Sequence, residues 1–253
     1  MRAAITDLSD DERRQVVDWI GERPETVIVV AALWSGEGRL WIDGDPAAPS
    51  AVLVESASVP GEPQGFGDGA ALLQLLAEAD GWSCVEVDRC LADEIEEHFA
   101  SRWGPTRTVI DVIHELNEPV AVYDHPLVRR LTPTEALDLP TTDPDLLPDR
   151  RLVAAAAEHG RFFAGVDDGV IIGQGGSLTA GRVFADVGVQ VAGARRRQGV
   201  ATACASRACQ ALQNDGLIPV WGTSSENAAS LAVARKLGFF ETARLTFLVR
   251  GDE

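Results

Sequence analysis

Val191-Ala192-Gly193-Ala194-Arg195-Arg196-Arg197-Gln198-Gly199-Val200-Ala201 closes an apolar strand, passes through a basic turn and opens a helix. Residues 184–191 alternate and are rich in valine, as a half-buried strand requires. Residues 201–212 are rich in alanine and read as helix. A turn at this junction exposes the first unpaired N–H groups of the helix, which carry about half a positive charge and suit a phosphate. Gly199 has no Cβ and lets an anion approach the backbone, and Arg195, Arg196 and Arg197 add charge-assisted donors. The stretch predicts an anion cradle.

The next segment gives the cradle a partner. Residues 218–223 read as a short strand, and Ser224-Ser225-Glu226-Asn227 caps a helix over 228–237 that stops at Gly238-Phe239. Together the two segments resemble the GCN5-related N-acetyltransferase (GNAT) superfamily. Its pyrophosphate loop, [Q/R]-x-x-G-x-[G/A], is matched by Arg196, Gly199 and Ala201, with Val191 eight residues before the glycine. Its second signature is matched by Asn227, Ser230 and the closing Lys236-Leu237-Gly238-Phe239.

Composition sets the outer limits. A chain of 253 residues, 45% hydrophobic, buries one large core or two small ones. Residues 1–7 lead straight into charged residues, and no later run approaches the roughly 18 apolar residues of a membrane span, so a soluble, cytoplasmic protein is expected. Cys84, Cys90, Cys204 and Cys209 show no CxxC spacing and read as reduced, buried thiols. His98, His114, His125 and His159 are scattered without ligand spacing, and no metal is predicted. The net charge of −17 argues against nucleic acid as a partner and steers cationic substrates.

The amino-terminal half repeats the plan. Ser9-Asp10-Asp11-Glu12 forms a capping box before a helix to about Glu22. Strand candidates follow at 25–33, 38–43 and 51–58, then a helix over 70–79, a strand over 84–87, a helix over 91–100 and a strand over 106–113. Gln64-x-x-Gly67-x-Gly69 satisfies the same loop pattern, and Val59 precedes Gly67 by eight residues. This predicts an internal duplication: two tandem acetyltransferase-like α/β (α+β) domains, 1–117 and 125–253. The resemblance gives each a mixed, mostly antiparallel sheet flanked by helices, with a splayed parallel strand pair. The first loop carries Glu62 and Asp68 where the second carries arginines, so the first copy reads as degenerate. Residues 128–133 read as the second domain's first strand and 133–148, rich in proline, as an exposed loop. Gly173-Gln174-Gly175-Gly176 reads as a small-residue strand rather than a nucleotide loop, because no helix follows it.

By resemblance, acetyl-CoA is the cosubstrate and the amine of a small molecule attacks it directly. Val189, Gln190 and Val191 would offer backbone contacts to pantetheine. Arg196, Arg197, Gln198, Gly199, Val200, Ala201 and Thr202 would hold the pyrophosphate, and Asn227 and Ser230 would contact the pantetheine arm or its thioester end. Asp186 and Glu226 are the candidate bases for the ammonium proton. Many members carry a tyrosine as general acid where this chain has Ala234, so the second expectation is a catalytically impaired acyl-CoA-binding or regulatory module. A third is a longer acyl donor or a tandem enzyme like mycothiol synthase, whose two-domain plan is similar. The expected assembly is a monomer or homodimer with neither a nucleic-acid nor a membrane partner.

Overall fold

The computed structural model describes residues 2–143, 146 and 149–251. They form two compact units, one of the described residues up to 113 with 223–226 and 242–251, the other of those within 114–222 with 227–241.

The first unit runs β1 (Arg2–Ala4), α1 (Asp10–Ile20), α2 (Val27–Ser35), β2 (Gly38–Asp45), β3 (Ala48–Ser56), β4 (Gln64–Gly67), α3 (Gly69–Glu78), β5 (Cys84–Asp88), α4 (Arg89–Trp103) and β6 (Thr106–Glu115). Most of β13 (Phe240–Arg250) completes it. The strand order is β1-β2-β3-β4-β5-β13-β6. β2 to β4 pair antiparallel, β4 lies parallel to β5, and β13 returns antiparallel to β5, with Leu245 opposite Asp88 and Val249 opposite Cys84. Alternation along the strands divides the core between the two faces. Trp41, Leu53, Leu72, Val85 and Phe99 pack in one cluster, and Ile5, Val16, Val30, Leu40 and Val52 in the other.

Helix α1 begins at the expected box, where the Ser9 hydroxyl accepts the Glu12 N–H and the Glu12 carboxylate accepts the Ser9 N–H. The strand expected at 25–33 is instead a 3-10 turn at Pro24–Thr26 followed by α2. Val27, Val29, Val30, Ala31, Ala32 and Leu33 are all buried there, so the segment is apolar around its whole circumference and carries no periodicity to betray a helix. Pro24 opens the 3-10 turn, and Gly36, left-handed at φ 79°, closes the helix by donating its N–H to the Ala32 carbonyl.

The second unit runs β7 (Val128–Arg130), α5 (Pro133–Asp138), α6 (Arg150–Glu158), β8 (Phe162–Asp167), β9 (Val170–Gly176), β10 (Phe184–Asp186), β11 (Gly188–Val191), α7 (Val200–Asn214), most of β12 (Ile218–Ser224) and α8 (Ala228–Leu237). One sheet has the antiparallel order β11-β9-β8-β7, and β10 pairs parallel with β12. The loop expected from 133 starts as helix α5, because Thr132 and Glu135 form a capping box around Pro133 at the first helical position. Pro144, Asp145, Leu147 and Pro148, also placed in that loop, lie outside the described residues.

Both units run strand, two helices, an antiparallel strand pair, a further strand segment, single as β4 in the first unit and divided into β10 and β11 in the second, then a helix, a strand parallel to β4 or β10 respectively, and a helix. Packing assigns 223–226 and 242–251 to the first unit, a partition that differs from a division of the chain at 117 and 125.

Candidate active site

The second unit's site begins where two strands part. β10 holds β12 through Phe184 opposite Ile218 and Asp186 opposite Val220, and the Val187 N–H donates to the Val220 carbonyl at 2.9 Å. From Gly188 the chain turns to pair with β9, Val189 opposite Gly175 and Val191 opposite Gly173. The single strand expected over 184–191 is therefore two strands in two pairings. Residues 189–191 have left β12, so their backbone groups on that side are free of it. Ala185 and Val187 enter the core against Ala205, Trp221 and Phe239, and alternation sends Asp186 to the opposite face.

The chain then enters a 3-10 turn at Gly193–Arg195 and a loop that ends on α7. Two residues of the loop are left-handed, Arg197 at φ 62° and Gly199 at φ 90°. Left-handed residues in a turn gather successive N–H groups into an anion-binding concavity. Gly199 is the N-cap of α7 and supplies no side-chain cap, so the N–H groups of Val200, Ala201 and Thr202 have no acceptor in their own helix. Arg195 is bound to Asp167 at 2.7 Å, whereas Arg196 and Arg197 are exposed and make no ion pair among the described residues. Gln198 is exposed as well, and Val200 is buried beneath the loop.

Glycines on β8 and β9 hold the helix at this position. A Cβ on Gly165 would come within 2.8 Å of Val200, and one on Gly175 within 2.9 Å of Cys204 and Val189. Gly173-Gln174-Gly175-Gly176 is thus a strand over which α7 lies closely, as its lack of a following helix indicated.

At the start of α8, the Asn227 carboxamide oxygen accepts the Ser230 N–H at 3.1 Å and caps the helix. The Ser230 hydroxyl accepts the Trp221 indole N–H at 2.9 Å. Both predicted residues are thereby fixed in place, and the indole that positions Ser230 carried no sequence signal. No described hydrogen bond links either residue to Asp186. Burial raises the Asp186 carboxyl to about 6, against a hydrogen bond from the Val187 backbone. Glu226 is exposed, and its N–H donates to the Ser224 hydroxyl. Ala234 is 0% exposed, enclosed in the cluster of Trp221, Leu237 and Phe239. A cavity of about 420 Å³ lies at the other end of α7, lined by residues such as Leu116, Val120, Gln213 and Leu217. Among the described residues no His, Cys, Asp and Glu group is placed to hold a metal, and no helix is long and apolar enough to cross a membrane.

Residues 154–248 match the family model of the GNAT acetyltransferases. The chain is also similar in structure to a GCN5-related N-acetyltransferase-like protein from Streptococcus suis, with TM-score 0.67 at 18% identity over 95% of this chain and 99% of that one. The fold is that of the GNAT acetyltransferases.

A GNAT-family acetyltransferase from Colwellia psychrerythraea aligns over 98% of both chains with TM-score 0.60 at 13% identity. A tandem GNAT protein from the clavulanic acid biosynthesis pathway aligns over 100% of this chain and 98% of its own, with TM-score 0.56 at 16% identity. No curated protein matches the sequence. The GNAT fold supports acyl transfer as the general chemistry.

The phosphate-loop pattern in the first unit does not form such a loop. Gln64-Gly65-Phe66-Gly67 is strand β4, hydrogen-bonded to β3, and Val59 lies in a turn rather than at a strand end. The Asp68 carboxylate caps α3 by accepting the Ala71 N–H at 2.9 Å. A Cβ on Gly69 would stand 2.4 Å from the Glu94 carboxylate. The N-terminus of α3 thus holds carboxylates belonging to the chain itself, whereas that of α7 is open. One other reading changes: Cys84, Cys204 and Cys209 are buried as expected, but Cys90 is exposed.

Proposed function

We propose that the chain is an acetyl-CoA-dependent N-acetyltransferase acting on the amine of a small molecule, with its working site in the second unit of a tandem GNAT pair. The observation that carries this reading is the uncapped N-terminus of α7, with Gly199 and with Arg196 and Arg197, which make no ion pair among the described residues, placed where the chain leaves β12 after β10 and continues as β11 against β9. These residues fit a CoA pyrophosphate: the N–H groups lack acceptors, the glycine leaves room, and two guanidinium groups are uncommitted.

Acetyl-CoA, when bound, supplies an acetyl group activated for transfer to an amine. Arg196 to Thr202 hold its phosphates, the freed backbone at 189–191 holds its pantetheine arm, and Asn227 and Ser230 stand at the start of α8 as its further contacts. Fixing both reactants in one frame is the largest contribution asked of the protein. Asp186 accepts the proton of the incoming ammonium, because a carboxyl at about 6 is ionised at neutral pH yet a stronger base than an ordinary aspartate. Glu226, exposed at the turn before α8, is the alternative base. The acidic chain draws cationic acceptors, and neither nucleic acid nor a membrane is a partner.

A second reading, a CoA-binding module that has lost catalysis, draws on Ala234, whose enclosed position offers no proton to a departing thiolate. Thiol release from acetyl-CoA across a panel of amines separates the two, using Cys90→Ser to remove the exposed thiol that would react with the reagent. Release with at least one amine is expected. CoA binding without release on any amine would establish the second reading. Arg196→Glu is expected to weaken CoA binding about tenfold or more.

A further inference from the structure

The segment that leads from β6 to β7 is tied along α7 from its last turn to its first. The Gln213 side chain accepts the Val120 N–H at 3.0 Å and donates to the Glu118 carbonyl at 2.8 Å. One to two turns further toward the N-terminus, the Ser206 hydroxyl accepts the Tyr123 N–H at 3.0 Å and Arg207 pairs with Asp124 at 2.7 Å. The strap ends at the phosphate loop. There His125 is half-buried, and its Cδ2 lies 3.7 Å from where a Cβ on Gly199 would stand, the one group within 4 Å of that point among the described residues beyond the chain neighbours of Gly199.

The ring is held in a defined orientation. The His125 Nδ1 accepts the Leu127 N–H at 3.2 Å, and the His125 carbonyl accepts the Val128 N–H at 3.0 Å. With Nδ1 an acceptor, the proton of the neutral imidazole resides on Nε2. Cδ2, the atom facing Gly199, is bonded to Nε2, so the edge turned toward the loop is the donor edge. The nearby acids are committed elsewhere, Asp124 to Arg207 and Asp167 to Arg195, and the uncommitted charges of the loop are those of Arg196 and Arg197.

We infer that His125 is a further anion-binding residue of the cofactor site, donating from Nε2 to a phosphate oxygen of CoA held by residues 196–202. The inference rests on the reading of that loop as the CoA phosphate site. It gives the strap a role: the strap carries into the site a donor from outside the loop that marks it in the sequence.

Calorimetric titration of the full chain with coenzyme A tests it through two substitutions. His125→Asn keeps an acceptor for the Leu127 N–H but places no donor at the Nε2 position. His125→Gln places an amide N–H near that position. The asparagine variant is expected to bind CoA about tenfold more weakly with an unchanged melting temperature, and the glutamine variant to recover most of the loss. Wild-type affinity in His125→Asn, or equal losses in the two variants, would overturn the assignment while Arg196→Glu still weakens binding. If Arg196→Glu itself binds CoA like the wild type, the loop reading fails instead.

Discussion

Asp186 carries two separable consequences of one environment. Burial lifts its carboxyl from 3.8 to about 6, so the folded state favours the protonated form. The stabilisation from protonation is complete below pH 3.8 and is lost as pH rises through 6, leaving a net cost at neutral pH. Asp186→Asn, neutral throughout, should therefore melt above the wild type at pH 8, with the gap closing as pH falls to about 4. In the proposed reaction the same variant should lose about a hundredfold in kcat, as removal of a general base does. Unimpaired turnover would transfer the role to Glu226. The sequence singled out Asp186 from its strand position and the family pattern; its burial came only with the fold. His125 shows the opposite case, an unremarkable histidine in a linker until the strap sets it against Gly199.

At the scale of elements, the two helices that follow the loop pattern separate by what caps them. α3 is capped by Asp68, so Asp68→Ala should cost about 1 kcal/mol in urea unfolding and leave CoA affinity unchanged. A gain of CoA affinity there would mean that the first unit holds a latent site. α7 depends on the strand beneath it. Gly175→Val would push into Cys204 and Val189, costing about 1–3 kcal/mol, and should weaken CoA binding as well because it shifts the helix that bears the loop. Loss of stability with intact CoA affinity would show that the loop holds its shape without α7. Periodicity and capping boxes made most of these elements legible in advance. The failure at α2 has a physical cause, since a segment buried on every side shows no alternation that distinguishes helix from strand. The false loop at Gln64 to Gly69 has another: the pattern specifies glycines and their spacing but not the hydrogen bonds to β3 that keep the segment extended.

For the whole molecule, the partition of the chain matters more than its midpoint. Leu245 and Leu248 on β13 are 3% and 1% exposed, and residues 245–249 pair with β5 inside the first unit. A fragment of residues 1–117 should therefore lack a cooperative melting transition, and a peptide spanning 240–250 should restore it. Cooperative melting of the fragment alone would show that β5 needs no partner on that side. By itself the sequence determined most of the elements, though not α2, α5 or the break between β10 and β11, together with the basic glycine turn before α7, the capping of α8 and the acidic balance, because each rests on local propensity or on composition. Tertiary structure alone decided which strand closes the first unit, which helix N-terminus stays open and which side chains reach the loop. Those outcomes depend on pairings and burial between residues far apart in the chain, which no local pattern records.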